Sequence, residues 1–378
     1  MGTPADHLPP PHKDEAIISL FGSIGLAKPT SIISPKVSAE YHRIYMITMN
    51  NGIEYVLRVS GNHIPTIKTE NEVAVMSWLK QRTTIPIPEV ISYDSTCNNP
   101  LQREYTLCTR AYGDTMSDIY TSLSQAQLDG FMDQVIDILL QLHESDWTAI
   151  GGLKFTNSGT IEMGPVLEET FWQVPDIEAF WPAGETVSSL NIGGPYPSYV
   201  AYISAHIRKY IYAIQIHEKL DFMRDSVGRL ELFLQALQDH AVELNNVKLK
   251  LAHKDLHLAN IMYDRETSRI TAVLDWEFSG VVPFTRWNPS RAFFWNGLAT
   301  PKSKVEKDSM MQKFSKRCTE RGVTILEDAQ FSSPLQEAMQ EAATYLRSIV
   351  EVAPRGQCQD LVGGWKETVF KNLALFGV

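Results

Sequence analysis

No window of this sequence gathers Lys and Arg into a basic stripe, and 44 acidic side chains outnumber 34 basic ones, for a net charge of −10. Affinity for nucleic acid comes largely from neutralising phosphates, so no nucleic-acid partner is expected. Long apolar runs are also missing: none approaches eighteen uninterrupted residues, so no membrane-spanning helix and no membrane partner are expected. Cysteine is scarce. Cys97, Cys108, Cys318 and Cys358 form no C-x-x-C pair, which argues against a zinc site and a disulfide framework, and for reduced thiols in a cytoplasmic protein. The opening stretch Met1 to His12 carries Pro4, Pro9, Pro10 and Pro11 but no apolar run, and reads as a flexible tail over 1–14 instead of a signal peptide. Gly2 invites a myristoylation check, but Asp6 stands where Ser or Thr is expected.

What is present is globular. The 378 residues are 44% hydrophobic and 21% charged, enough for two or three ordinary domains with a substantial core. The texture changes near residue 113. Tyr45 to Thr48 and Glu54 to Val59 are β-branched-rich runs around Asn50-Asn51-Gly52, a hairpin signal because a tight primed turn needs positive φ. Thr69-Glu70-Asn71-Glu72 fits a capping box and starts a helix running to about Gln81. Glu72 shares a face with Val75, Met76 and Leu79, so it leans inward, either as a cap alone or as partner to the strand cation Arg58. Strand-like runs follow at Val90 to Tyr93 and Glu104 to Thr109. Ala111-Tyr112-Gly113-Asp114 then breaks the pattern, as a hinge or as an ordinary loop.

Beyond this point helices dominate. Ser124-Gln125-Ala126-Gln127 is a second capping box, opening a helix whose apolar face runs from Leu128 to Leu142. His143 at its end suits the helix dipole better than a catalytic role. An aromatic, Gly- and Pro-rich insertion at about 151–200 is too long and irregular for a plain loop, and reads as a satellite core or as a substrate lid. Helical patterns resume over Ser198 to His217 and about Arg224 to Leu244.

The stretch that carries chemistry is His253-Lys254-Asp255-Leu256-His257-Leu258-Ala259-Asn260, followed after a short hairpin by Leu274-Asp275-Trp276-Glu277. It sets a carboxylate and a carboxamide five positions apart on a loop, and a second carboxylate at the end of an apolar strand. Phosphoryl transfer needs this equipment: an Asp to orient or deprotonate a hydroxyl, and an Asn and another Asp to hold divalent metal against nucleotide phosphates. Strands at Lys248 to Ala252, Ile261 to Tyr263 and Ile270 to Leu274 would bring the loop and Asp275 together at the ends of paired strands. Magnesium suits such a site, with few protein oxygens and phosphate and water completing the octahedron.

These residues resemble the aminoglycoside phosphotransferase and choline kinase family, a branch of the protein-kinase-like fold, whose loop reads much like H-G-D-L-H-x-x-N. Tyr55-Val-Leu-Arg, Asn71-Glu72-Val73, Ile85-Pro-Ile-Pro-Glu-Val, and Leu142-His143 with Ile150-Gly151-Gly152-Leu153 fit as well, so the resemblance runs from about residue 35 to 285. The insert with Gly194-Pro195 and Tyr202 resembles fungal-type members.

The resemblance implies an α+β, bilobal protein-kinase-like fold, with a small N-terminal antiparallel sheet plus one helix over 15–110 and a larger, mainly helical lobe over 111–378. It implies an ATP- and magnesium-dependent transfer of the γ-phosphate to a hydroxyl of a small molecule. Asp255 would be catalytic, and Asn260 and Asp275 would hold magnesium. Arg58, standing where the family more often has Lys, would bind phosphate with Glu72 as its partner, and Ser38 and His257 would lie on the nucleotide side. Glu277, Trp181 and Tyr202 are acceptor-side candidates. The sequence departs from the family at the loop expected to cover the phosphates, Pro35-Lys-Val-Ser-Ala-Glu-Tyr-His-Arg-Ile, which has no Gly. That gap keeps open a second reading, a catalytically silent kinase-like binding module. No Ala-Pro-Glu motif follows Asp275, which disfavours a protein kinase.

Overall fold

The computed structural model describes residues 8–35, 41–286 and 292–378. Its first part runs through helix α1 (Asp14–Ser23), strands β1 (Ser31–Ile33), β2 (His42–Thr48) and β3 (Glu54–Ser60), helix α2 (Ile67–Arg82), and strands β4 (Val90–Asp94) and β5 (Tyr105–Thr109). These described strands join in the order β1-β2-β3-β5-β4, antiparallel throughout. Alternation along β2 and β3 turns Tyr45, Ile47, Leu57 and Val59 to one face, where they bury Ile17, Leu20 and Phe21 of α1. Helix α1 was not legible in the sequence. The tail expected over 1–14 is tethered from residue 9 onward: Arg43 Nε donates to the Pro9 carbonyl at 2.7 Å and His12 N to Tyr45 Oη at 2.7 Å.

The β2–β3 hairpin forms as expected, but its loop holds three residues and not two. Met49 N reaches Ile53 O at 2.9 Å, Gly52 N reaches Met49 O at 3.0 Å, and Gly52 takes the left-handed φ of 79° that this longer turn requires. Helix α2 starts two residues before the expected capping box. The cap comes from across the fold: Glu104 accepts from Thr66 N at 2.7 Å and from Thr69 Oγ1 at 2.6 Å. A carboxylate from just before β5 thus replaces the local Thr69–Glu72 reciprocity, and Glu72 is released to face inward.

The second part continues through β6 (Asp114–Thr115), α3 (Met116–Ile119), α4 (Gln125–Glu144), β7 (Leu153–Phe155), β8 (Ile161–Met163), α5 (Val174–Phe180), α6 (Val187–Leu190), α7 (Tyr199–Ile216), α8 (Val227–Asp239) and α9 (Ala241–Leu244). It closes with β9 (Leu249–Ala252), β10 (Ile261–Asp264), β11 (Arg269–Val273), β12 (Gly280–Pro283), α10 (Pro301–Glu320), α11 (Ile325–Asp328), α12 (Pro334–Arg355) and α13 (Gln359–Ala374). This is the expected α+β plan of a small antiparallel sheet beside a mainly helical mass. The Ser124–Gln127 capping box is complete, and Phe131, Met132, Val135, Leu139 and Leu142 are buried. His143 does not serve the helix dipole as a cation. Burial, then the nearby Lys250, lowers its pKa to about 4, and its ring packs edge-on to Phe284.

The insertion is a packed layer, so the satellite core is the reading that holds. Phe171, Trp172 and Trp181 lie in one apolar cluster with α7, α8 and α12. The strands around the His253–Asn260 stretch pair differently from expectation. β10 runs between β11 and β6, whereas β9 pairs with β12, so the loop enters from one small sheet and Asp275 leaves another. No described helix is long and apolar enough to cross a membrane, and all four cysteines are unbonded.

Candidate functional site

The loop between β9 and β10 is held by His253. Its Nε2 donates to the Leu274 carbonyl at 2.7 Å and its Nδ1 accepts from Asp255 N at 3.3 Å, partners that assign the neutral Nε2–H tautomer. Burial keeps the ring neutral against the pull of Asp255 and Asp275. One imidazole therefore ties the two segments that carry Asp255 and Asp275. Leu274 N adds a second tie, donating to Asn260 O at 2.8 Å. Trp276 is fully buried beneath, with Nε1 on the Val273 carbonyl at 2.9 Å and its ring 4.5 Å from His253.

On this base Asp255 and Asp275 stay open, with side-chain exposures of 38% and 35%. Asn260 donates through Nδ2 to Asp255 O at 3.0 Å and, at 3.4 Å, to Asp255 Oδ2. With its NH₂ turned that way, the carboxamide offers its oxygen. Together with the Asp275 carboxylate this is a hard-oxygen donor set, the kind magnesium takes alongside phosphate and water. No described group of three or more His, Cys, Asp or Glu could hold a metal, so a softer or fully protein-ligated ion is not suited. His257 Nε2 stands 3.4 Å from Asp255 Oδ2 and its Nδ1 accepts from Ala259 N at 3.1 Å. Burial lowers the His257 pKa, but the hydrogen bond and charge of Asp255 outweigh it and the net shift is upward.

Two backbone positions here are unusual. Lys254 and Asp275 have φ of 69° and 65°, the left-handed region that glycine adopts freely and other residues pay to enter. Asp tolerates it better than most. Lys does not, and it stands where the resembling loops have Gly.

The second wall comes from β3 and α2. Arg58 holds the buried Glu72 through Nη1 and reaches Asp275 Oδ1 through Nη2 at 2.9 Å. Desolvation opposes its charge, yet Glu72 and Asp275 win and its pKa is raised. One turn before Glu72, Lys68 is buried and donates to Glu277 Oε2 at 2.5 Å and to His42 Nε2 at 3.0 Å. Burial, with the Lys68 and Arg58 charges, holds His42 neutral. Burial pushes the Glu277 carboxyl up to about 8, against the pull of Lys68. Asn71 completes the seam: Nδ2 donates to Glu277 O at 3.0 Å and Ser279 O at 2.9 Å, and Oδ1 accepts from Leu153 N at 2.8 Å.

Sequence reasoning thus brought Asp255, Asn260, Asp275, His257, Arg58 and Glu72 to one place, and missed Lys68, His42 and Asn71. The available signal was Lys68, Asn71 and Glu72 recurring at helical spacing as a polar stripe on an inward face. Three acceptor-side candidates need correction. Glu277 is buried and spent on Lys68. Trp181 is a core residue, 4.9 Å from both Trp172 and His217. Tyr202 is buried, with its hydroxyl on Glu168 and Arg286 over its ring at 4.9 Å. Ser38 lies outside the described residues, as does the rest of 36–40 in the Gly-poor stretch around it.

The model of a phosphotransferase enzyme family matches residues 37–285. A subtelomeric hrmA-associated cluster protein of Aspergillus fumigatus is 24% identical over 73% of this chain. Altered inheritance of mitochondria protein 9 of Yarrowia lipolytica, named as mitochondrial, is 29% identical over 34% of it. The chain spans 63% of the first relative's length and 24% of the second's. Among solved structures, the gentamicin complex of APH(2″)-IIa has a similar fold, with a TM-score of 0.52, 13% identity and 97% of each chain covered.

Proposed function

This chain belongs to the phosphotransferase enzyme family, and we propose that it moves the γ-phosphoryl group of ATP to the hydroxyl of a small-molecule acceptor in the cytoplasm. Residues 15–110 form the nucleotide-side lobe of this reading and 111–378 the catalytic lobe. The observation that carries it is the convergence of two open carboxylates, Asp255 and Asp275, beside a buried Arg58–Glu72 pair, with His253 fastening both loops.

Asp255 accepts the acceptor's hydroxyl proton as that oxygen bonds to the γ-phosphorus and the bond from phosphorus to the β–γ bridging oxygen breaks, releasing ADP. His257, beside Asp255, and Asn260, donating to it, fix the carboxylate's direction. Asn260 through its carboxamide oxygen and Asp275 through its carboxylate would hold magnesium. The ion would supply charge neutralisation on the phosphates when bound. Arg58, prepositioned by Glu72, presents its guanidinium to the phosphates from the opposite wall. Positioning and electrostatics supply the acceleration, and no covalent enzyme intermediate is needed.

Thermal shift with ATP, with and without magnesium, on wild type and on Asp275→Ala tests this reading. Mg-ATP is expected to raise the melting temperature of the wild type, and the magnesium dependence is expected to vanish in the variant. No stabilisation of the wild type by either form would favour the silent binding module.

A further inference from the structure

Resting on the phosphotransfer reading, the geometry points to a recognition pocket for an apolar alcohol. A cavity of about 550 Å³ lies between the β3–α2 connection and the insertion, lined by Ile64, Pro65 and Ile67 on one side and Val166, Leu167 and Phe171 on the other. Its size is that of a small-ligand site. We propose that this cavity seats the hydrocarbon body of the acceptor, an uncharged hydroxyl compound of aliphatic or monocyclic character.

Two features tie the cavity to the reacting centre. Leu167, a wall residue, accepts from Lys254 Nζ at 2.6 Å through its carbonyl, and Lys254 directly precedes Asp255. Lys254 keeps a left-handed backbone while making this contact, where glycine would be free of strain but could not make it. On the other side Phe278, three residues beyond Asp275, packs edge-on to Tyr41 at 5.3 Å, and Tyr41 meets His63, the neighbour of the wall residue Ile64, at 5.1 Å. The Asp255 segment thus touches the wall directly at Leu167, and the Asp275 segment is linked to it through Tyr41 and His63. The two sides of the cavity are also joined, since Val174 N donates to the His63 carbonyl at 2.9 Å.

The lining chooses the ligand chemistry. The walls are mainly aliphatic, with Phe171 the aromatic among them; of the polar residues there, Asn191 is spent on the Trp172 backbone and Thr186 on Ser189 N, and the carboxylates of Glu178 and Glu185 belong to the boundary. Glu185 is already engaged by Tyr212 Oη at 2.9 Å and Ser189 Oγ at 2.6 Å. A polyol would leave most of its hydroxyls unpaired against such walls, whereas an alkyl or aryl body loses nothing there.

The test uses 1-octanol as probe and sorbitol as its polar control, measured by saturation-transfer NMR on the full chain. Val174→Asp and Val187→Asp each place a carboxylate at a partly buried wall position, and the two guard against one failing to fold. Mg-ATP thermal shift is recorded on the same samples. The expected result is saturable octanol binding, weaker by roughly tenfold or more in either variant that keeps its melting temperature, with no sorbitol binding. Octanol is also expected to raise magnesium-dependent ADP release above the water background, and sorbitol is not. Absence of saturable octanol binding, equal binding in folded variants, or equal stimulation by sorbitol overturns the proposal. Octanol binding without any Mg-ATP shift strikes the phosphotransfer reading and upholds the pocket, and the reverse pattern strikes the pocket alone.

Discussion

Arg58 joins two carboxylates from different parts of the chain, holding Glu72 of α2 with one nitrogen while the other stands 2.9 Å from Asp275 Oδ1. The two acids differ in kind. Glu72 is 2% exposed, so its partner is structural, whereas Asp275 is 35% exposed and can exchange its contact for a metal ion. Arg58→Met is expected to lower stability by about 3 kcal/mol, because it leaves a buried carboxylate unpaired, and to weaken Mg-ATP binding as well. Arg58→Lys should recover most of the stability and part of the affinity. Denaturant melts with Mg-ATP titration check both, and an unchanged melt in Arg58→Met would refute the pairing.

Lys254 gives a pH signature. Burial, with Arg286 nearby, lowers its pKa from 10.5 to about 8 despite the pull of Glu168. Between those two values the unfolded chain binds a proton that the folded chain has shed, so stability rises with pH across pH 8–10.5, and the penalty is present in full below pH 8. Lys254→Gly removes this dependence together with the left-handed backbone strain. The variant is expected to melt higher than wild type at pH 7, with the gain shrinking by as much as roughly 3 kcal/mol by pH 10.5. A gain that does not change with pH would contradict the burial of this amine.

Asn71 holds three backbone groups in a seam closed by Gly152, where an added Cβ would meet Asn71 Oδ1 at 2.3 Å and Pro165 O at 2.7 Å. Asn71→Leu strands those buried groups and should cost about 2–4 kcal/mol. Gly152→Ala should be at least as damaging, for want of room. Chemical denaturation of both variants decides this. A cost below about 1 kcal/mol in each would show that the seam carries no weight.

What could be read before folding was local. The hairpin around Gly52, the Ser124 capping box and the Asp255, Asn260 and Asp275 series each sit in a short stretch whose chemistry is complete in itself. What could not be read depended on a distant partner. Glu104 caps α2 from the residue before β5, so the helix start moved away from Thr69. Lys68 is buried because Glu277 and His42 meet it, 209 and 26 residues away. The aromatics of the insertion suggested contact with a ligand, yet Trp181 and Tyr202 close a core with α7 and its neighbours, and no sequence period distinguishes those outcomes.

In the proposed phosphotransfer, Asp255 takes the proton of an acceptor hydroxyl at a magnesium–ATP site. The most direct measurement is magnesium-dependent ADP release with a panel of hydroxyl acceptors, run on wild type and Asp255→Asn with Mg-ATP affinity measured in parallel. The expected result is at least ~10²-fold slower turnover in the variant with Mg-ATP affinity retained. Near-normal turnover in Asp255→Asn would contradict this role for Asp255.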